Sequence, residues 1–306
     1  MGFLFGNKKS YEKALEWFKN NKVTGKGIIV HTRLQEPYPE VTGYFIPTLY
    51  AWGENDLARE CTKWLISIQS DDGSFPAPDG TPYTFDTGQI MRGFCAALGD
   101  VEGVEEPLTR ACDWVLTQID SQGRLLTPST ELWGDIANDM IHTYVLPPLR
   151  EAGNRLNNDE YLKAADFVLA YYKGQDELVP FNRLSHFHAY IMEALCELGE
   201  IELASQGMAE VERLQKKDGS IPAYPDVKWV CSTGMAQYAV IWYLLGKPEP
   251  ADRAIRFLEK IQNKSGGFFG SYGEGSDYIP NAEISWAVKY FLDAYRLKLQ
   301  GEKPGA

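Results

Sequence analysis

The stretch IMEALCELGEIELASQGMAEVERLQKKDGSI, residues 191–221, contains one complete unit of a repeat. Its first part is apolar nearly all round and ends at a glycine, which is typical of a helix buried on every side. Its second part, residues 201–217, carries charged and apolar residues on opposite sides of a helical pattern. The stretch therefore predicts an inner helix and an outer helix joined at Gly199.

The same unit recurs along the whole chain. Four further apolar segments end at Gly53, Gly99, Gly153 and Gly246, which we interpret as helix caps, and a sixth lies near the C-terminus. Six amphipathic segments alternate with these six at a period of about 50 residues. Strict alternation of six pairs predicts an all-α (α/α)6 toroid, a single domain over residues 1–306 with flexible ends at 1–9 and 299–306. An open solenoid of helical repeats is the alternative.

The predicted loops from outer to inner helices are long, whereas those from inner to outer helices are short. In a toroid the long loops collect at one rim, above the N-termini of the inner helices, and long loops on a rigid scaffold usually carry function. Three inner helices begin with Thr-Gly, at Thr42, Thr87 and Thr233. The glycines allow either a ligand or a neighbouring backbone to approach closely.

Composition excludes several classes of partner. The net charge is −12 and no cluster of Lys and Arg is present, so we expect no nucleic-acid partner. No apolar run is long enough to span a membrane, and no signal peptide is recognisable. The 5 cysteines show no paired spacing, which indicates a reducing, cytoplasmic environment. We expect no cofactor, and the oligomeric state stays open.

Titratable residues gather at the predicted starts of the inner helices. All 4 histidines fall there, and such convergence favours a site over four separate structural roles. Acidic residues come from four different units, as an acid–base pair across a ligand requires, although Asp and Glu also favour first turns as caps. The candidates for catalysis are Tyr44, His142, His188, Glu40, Asp86, Asp135 and Glu283.

Aromatic and hydrogen-bonding residues at the same rim are candidates for substrate binding. Aromatic rings pack on the C–H faces of sugars, although large rings can also simply fill a wide barrel mouth. The N-termini of six inner helices add positive potential, which favours a carboxylate or phosphate group on the ligand. The candidates for binding are Arg33, Tyr38, Gln89, Arg92, Trp133, Arg183, His186, Trp229, Gln237, Tyr272 and Trp286.

Three segments resemble a known repeat. WLISIQSDDGSF (64–75), RLQKKDGSI (213–221) and FLEKIQNKSGGFFG (257–270) are similar to the QW-type repeats of the terpenoid cyclase and protein prenyltransferase superfamily, in which an outer helix ends in Gln before a glycine turn. The resemblance implies the toroid, but the motifs DxDD and DDxxD of that superfamily are missing. Its zinc ligands are not matched either: Asp226 and Cys231 are wrongly spaced and no His follows His188, so we expect no metal.

Two further segments, YPEVTGYFIPTL (38–49) and the stretch 266–294, resemble bacterial toroid proteins associated with surface-polysaccharide gene clusters. The same architecture serves glycan hydrolases, polysaccharide lyases and uronyl C5-epimerases, and EPYPE (36–40) is similar to a Tyr- and Glu-bearing loop of glucuronyl C5-epimerases. The resemblance implies an enzyme that acts on an acidic, lipid-linked or nucleotide-linked saccharide.

Two reactions fit the candidate residues. In hydrolysis, two carboxyl groups among Glu40, Asp86, Asp135 and Glu283 act as acid and base. In epimerisation or β-elimination, Arg33, Arg183 or a histidine neutralises a uronate while Tyr44, His142 or His188 moves the C5 proton, and the four histidines favour this reaction. The alternatives are an isoprenoid-binding or prenyltransferase-like protein with an aromatic cavity, and a glycan-binding scaffold without catalysis.

Overall fold

The computed structural model describes residues 8–127 and 139–301. Six outer helices are α1 (Ser10–Asn20), α3 (Asn55–Ile68), α5 (Glu105–Thr117), α7 (Asp159–Lys173), α9 (Ile201–Leu214) and α11 (Pro248–Ile261). The inner helices are α2 (Pro39–Ala51), α4 (Thr84–Ala97), α6 (Leu146–Leu156), α8 (Ser185–Glu197), α10 (Ser232–Leu244) and α12 (Ser285–Gly301). A 3₁₀ helix, Met140–Val145, leads directly into α6.

The helices close into a ring, so the predicted (α/α)6 toroid is confirmed. Each inner helix packs against the next, and α12 packs against both α1 and α2. Trp52 at the end of α2 donates its indole N–H to the carbonyl oxygen of Leu292 in α12, at 3.3 Å. An open solenoid would leave these first and last units without such contacts.

A glutamine at the end of three outer helices explains the repeated sequence motif. The side-chain amides of Gln69, Gln215 and Gln262 each donate to the carbonyl of a glycine four residues later. Each amide also donates to a backbone carbonyl in the first turn of the next outer helix. For Gln262 that carbonyl belongs to Ser10 of α1, so the last junction of the ring is built like the two at Gln69 and Gln215.

The glycines after Thr42, Thr87 and Thr233 serve close packing between inner helices. A Cβ atom on Gly43 would lie 2.6 Å from the Cα of Ile90 in α4, and one on Gly234 would lie 2.8 Å from the backbone N of His186 in α8. One on Gly88 would lie 2.8 Å from Val145. Of the two interpretations of the Thr-Gly pairs, the geometry supports backbone approach.

The glycine caps were predicted correctly except for one. Gly53, Gly99, Gly199 and Gly246 have φ between +69° and +85°, the left-handed conformation that ends a helix. Gly153 instead lies inside α6, where a Cβ would clash with Leu162, and the helix continues to a left-handed cap at Asn157. Asparagine also tolerates this conformation, so a search for glycine alone does not find the end of this helix.

The long loops lie at the rim formed by the N-termini of the inner helices. Two of them pair there as a short antiparallel ribbon of β1 (Val230–Cys231) and β2 (Ser271–Tyr272). Within the described residues, no helix is long and apolar enough to cross a membrane. Of the ends predicted to be flexible, residues 299–301 belong to α12. Residues 1–7 and 302–306 lie outside the described part of the chain.

Candidate active site

A cavity of about 340 Å³ opens at the rim where the inner helices begin. We call it the mouth cavity. It is lined by Val30, His31, Tyr38, Glu40, Phe85, Asp86, His186, Phe187, Tyr190, Tyr278, Ile279 and Trp286. Its residues come from α2, α4, α8 and α12 and from the loops before α2 and α12, so only the closed ring assembles them. Its size lies within the range of ordinary small-molecule pockets.

Two carboxyl groups lie in the wall of the same mouth cavity. Glu40 is 3% exposed in the first turn of α2, and Asp86 is 4% exposed in the first turn of α4. The Tyr38 hydroxyl donates to Asp86 Oδ2 at 2.9 Å, and the Trp286 indole N–H donates to Glu40 Oε2 at 3.3 Å. No cation is paired with either carboxylate among the ion pairs of the described residues. They are thus buried, hydrogen-bonded and not neutralised by a salt bridge.

Burial makes both groups weak acids. It raises the pKa of Asp86 to about 7, and the hydrogen bond from Tyr38 opposes this rise. Burial also raises the pKa of Glu40 well above its ordinary value, and the negative charge of Asp86 raises it further. Because the two negative charges repel each other, double ionisation is disfavoured, and the pair holds on to a proton at neutral pH. One carboxyl group can therefore give up a proton while the other accepts one.

His186 supplies a neutral imidazole to the same cavity. Its Nδ1 lies 2.6 Å from Oε1 of Gln237, and because an amide oxygen only accepts, Nδ1 carries the proton and Nε2 is left as the acceptor. Burial lowers the pKa of His186 to about 4, and the charge of Lys289 lowers it further in spite of the bond to Gln237. The ring is therefore uncharged at neutral pH.

Aromatic rings form the rest of the wall. The Tyr190 ring lies 4.5 Å from the ring of His186 and 5.0 Å from that of Phe85, centroid to centroid. The Trp286 ring lies 5.9 Å from that of His186. Ile279 closes one side with a φ of +48°, an unusual conformation for a β-branched residue. Flat apolar faces beside a few polar groups are what a sugar ring requires of a binding site.

Among the residues predicted from sequence, the structure brings Tyr38, Glu40, Asp86, His186 and Trp286 together in the mouth cavity. Gln237 lies behind them as the partner of His186. Gln89 is fully buried in α4, and its amide donates to the carbonyl of Phe85. Asp135 and Trp133 lie outside the described residues.

The histidines at 142 and 188 are not in the lining of the mouth cavity. Both ring nitrogens of His188 are 3.0 Å from partners inside the protein, the Tyr238 hydroxyl and the Val179 carbonyl. His142 is 3% exposed and contacts Asp139 through both the backbone oxygen, at 2.9 Å, and the carboxylate. Both imidazoles therefore have the bonding expected of structural histidines, which differs from the convergence predicted for all four.

Several other candidates stabilise loops at the rim. Glu283 accepts hydrogen bonds from Trp17 and Asn263, and so ties α1 to the loop after α11. The Tyr272 hydroxyl accepts from the backbone N–H of Phe269, and Trp229 packs edge-on against Tyr224. These contacts hold the rim in place without reaching the mouth cavity.

The two candidate arginines of the rim have different surroundings. Arg183 is 3% exposed and its guanidinium binds the segment of Glu177 and Asn182. Arg33 is exposed, and its backbone N–H donates to Nδ1 of His31 at the edge of the mouth cavity. Of these two arginines, only Arg33 is exposed to solvent.

Arg92 and Tyr44 lie towards the opposite end of the ring. They line a second cavity at the C-terminal ends of the inner helices, together with Glu193 and Lys289. Arg92 lies six residues after Asp86 in α4, and at 1.5 Å per residue this places it about 9 Å deeper in the ring. Both residues were predicted to lie at the rim, because position along an inner helix was not translated into depth inside the ring.

Sequence reasoning missed Phe85, Phe187, Ile279 and Val30 in the wall of the mouth cavity. Phe85 and Phe187 each stand next to a polar residue of the cavity, a neighbour signal that was present in the sequence. Among the described residues, no group of three or more His, Cys, Asp and Glu is placed to hold a metal ion.

Comparison with models of protein families gives no match, and no curated protein sequence is detectably similar. Solved structures do share the fold. A heparin-specific unsaturated glucuronyl hydrolase is 15% identical with a TM-score of 0.74, covering 96% of this chain and 97% of its own. An α-amylase from Clostridium perfringens is 14% identical with a TM-score of 0.72, covering 96% and 99%. A D-mannose isomerase is 12% identical with a TM-score of 0.69, covering 95% and 97%.

These three proteins share a toroid and carry out different reactions, so the similarity identifies the architecture and leaves the reaction to the site itself. The neighbours are carbohydrate-active enzymes of the glycosidase and isomerase type, and membership of the terpenoid cyclase superfamily is not what the comparison returns.

Proposed function

We propose that this protein is a carbohydrate-active enzyme that hydrolyses a glycosidic bond in the mouth cavity. The observation that carries the proposal is the pair of almost completely buried carboxyl groups, Glu40 and Asp86, on adjacent inner helices beside an aromatic wall. The resemblance of segments 38–49 and 266–294 to toroid proteins of surface-polysaccharide gene clusters suggests a saccharide of bacterial surface-glycan metabolism.

The environments of the two carboxyl groups suggest their roles. Glu40 keeps its proton because of burial and the nearby charge of Asp86, so it is suited to protonate the glycosidic oxygen. Asp86 accepts a hydrogen bond from the Tyr38 hydroxyl, which stabilises its ionised form. It is therefore suited to activate water or to attack the anomeric carbon. Trp286 and Tyr190 offer faces on which the sugar ring can pack.

We propose that the sugar ring bound in the mouth cavity carries no charge. The described lining of the mouth cavity contains Glu40 and Asp86 but neither Lys nor Arg. A uronate carboxylate there would meet two acidic groups, and its burial without a cation would be costly. This favours hydrolysis over the uronate chemistry to which the histidines pointed.

The test is to incubate the protein with neutral and uronic-acid oligosaccharides and to measure new reducing ends. Glu40→Gln and Asp86→Asn should each lower kcat by at least about 100-fold, the range expected for loss of a general acid or base. Glu36→Gln is the matched control, because it removes the same charge from an exposed position four residues before Glu40, in the loop that leads into α2. Full activity in both cavity variants would contradict the proposal.

Epimerisation is the second candidate, because Tyr38, Tyr190 and Tyr278 place three phenol groups beside His186 in the same cavity. The same incubation in D₂O separates the two reactions. An epimerase incorporates deuterium at C5 without releasing sugar, and a lyase creates an unsaturated product. A hydrolase does neither and releases new reducing ends. Magnesium-dependent binding of a prenyl diphosphate would instead indicate an isoprenoid protein.

A further inference from the structure

A second cavity of about 320 Å³ lies at the C-terminal ends of the inner helices. We call it the basal cavity. Its buried lining includes Tyr44, Arg92, Glu193 and Lys289, and its more exposed lining includes Ala96 and Leu297 together with the charged residues Glu151 and Arg296. Four tyrosines, Tyr44, Tyr144, Tyr190 and Tyr290, lie between it and the mouth cavity, and each is at most 2% exposed. The basal cavity is therefore a separate compartment, which the proposed reaction does not use.

The buried cations of the basal cavity already have anionic partners. Arg92 makes two bonds of 2.8 Å to the two oxygens of Glu197. Lys289 Nζ lies 2.9 Å from Asp293, which also accepts a hydrogen bond from Thr48. An ionic ligand bound at Arg92 or Lys289 would have to displace one of these pairs, and breaking a buried ion pair is strongly unfavourable. The buried part of the cavity is thus poorly suited to a charged ligand.

Three polar atoms in the same lining have no hydrogen-bond partner: the Tyr44 hydroxyl, Glu193 Oε2 and Arg92 Nε. Tyr44 is 0% exposed and Glu193 is 5% exposed. Leaving such groups unsatisfied is costly, and folded proteins rarely do so without a reason. Arg92 Nε can only donate, the Tyr44 hydroxyl can do either, and a carboxyl oxygen accepts when ionised.

A hydroxyl group meets all three requirements, because it donates and accepts at once. Burial raises the pKa of Glu193 to about 7, which lets this carboxyl group act as donor or as acceptor near neutral pH. An ammonium ion could satisfy Glu193 and Tyr44 but would leave Arg92 Nε without an acceptor. An anion could satisfy Arg92 but would be repelled by Glu193.

We propose that the basal cavity is a second, non-catalytic binding site for one small neutral polyhydroxylated molecule, a monosaccharide or polyol, held by Tyr44, Glu193 and Arg92. Its volume is close to that of the mouth cavity, so a ligand of one sugar ring fits either compartment by size. The proposal is independent of the reaction proposed for the mouth cavity.

D-Glucose is the probe for the test. Titration calorimetry on the intact protein measures its Kd, and a crystal structure with glucose shows where it binds. Glu193→Met removes the carboxyl group and should weaken basal binding by at least about tenfold. Ala96→Phe fills the opening from a half-buried position without touching the polar groups, so it should have the same effect if Glu193→Met fails to fold.

Two controls complete the design. Glu102→Met changes an exposed glutamate outside the cavity and should leave the Kd unchanged. Glu40→Gln replaces a side chain that lines the mouth cavity and should also leave glucose bound in the basal cavity, whatever it does to the reaction. Glucose density against Tyr44 and Glu193, lost in the basal variants, would support the proposal. Ordered water alone at these atoms, or an affinity that neither basal variant changes, would overturn it, and so would density at crystal concentration without measurable binding in solution.

Discussion

Replacing Asp86 by asparagine should make the protein more stable, with a larger gain at alkaline than at acidic pH. Asp86 is 4% exposed, and burial raises its pKa from 3.8 to about 7. An acid with a raised pKa in the folded state destabilises that state as pH rises between the two values, because the unfolded chain loses its proton first. Asparagine keeps the shape of the side chain and can still accept the hydrogen bond from Tyr38.

The size of the effect follows from the two pKa values. They differ by 7 − 3.8, about 3 units, and each unit corresponds to about 1.4 kcal/mol. Ionised Asp86 therefore lowers the free energy of unfolding by about 4 kcal/mol above about pH 7, and by about 2 kcal/mol near pH 5.5. We expect Asp86→Asn to recover these amounts.

Urea unfolding followed by circular dichroism at about pH 5.5 and about pH 8 measures both gains. Asp79→Asn is the control with the opposite sign, because hydrogen bonds from the Thr81 N–H and the Tyr83 hydroxyl lower the pKa of Asp79. Its ionised form is favoured by folding, so this variant should lose stability by the same amount at both pH values, because both lie above the pKa of Asp79 in the folded and the unfolded chain. If Asp86→Asn were destabilising, or gave the same gain at both pH values, the account of a strained carboxyl pair would be refuted.

Three further predictions concern other parts of the ring. His188→Ala should lower the free energy of unfolding by about 2 to 4 kcal/mol, because both ring nitrogens are bonded inside the protein, and kcat/KM of the folded variant should not change; denaturation and kinetics measure the two, and a folded variant without turnover would contradict this. Gly266→Ala should cost about 3 to 5 kcal/mol, because its Cβ would lie 2.1 Å from a carbonyl oxygen of α1, whereas Gly246→Ala, with positive φ but free space, should cost about 1 to 2 kcal/mol. Equal losses in the two glycine variants would mean that the close contact between Gly266 and α1 adds nothing to the cost of the substitution. Trp286→Phe removes the N–H that favours ionised Glu40, so the pKa of Glu40 should rise and the alkaline limb of kcat/KM should move to higher pH; a downward move would argue against Glu40 as the acid.

The fold could be predicted from sequence because its signals are local. A glycine past four of the six inner helices, a polar stripe along each outer helix and a glutamine before a glycine turn each depend on a few neighbouring residues. Ring closure was predicted by counting six pairs, and Gln262 closes the ring with the same bonds that other glutamines make elsewhere. Gly153 was misjudged because an asparagine four residues later supplies the stop.

The site could be predicted only in part, because it depends on the direction and depth of each side chain. His186 and His188 are two positions apart, which separates them by about 200° around a helix, and sequence does not say which one faces the axis. Asp86 and Arg92 are six positions apart in one helix and differ in depth by about 9 Å, so they enter different compartments. Glu40 and Asp86 were found because first-turn positions have only one depth, that of the rim.

Four buried tyrosines, Tyr44, Tyr144, Tyr190 and Tyr290, stack across the inside of the ring and limit how a substrate can pass through it. The Tyr144 and Tyr290 hydroxyls are 2.9 Å apart, and the rings of Tyr44 and Tyr190 pack on either side of them. A polymer cannot thread through such a partition. A molecule that enters the mouth cavity from the loop side must leave by the same opening. Product release and entry of the next substrate therefore compete for that opening.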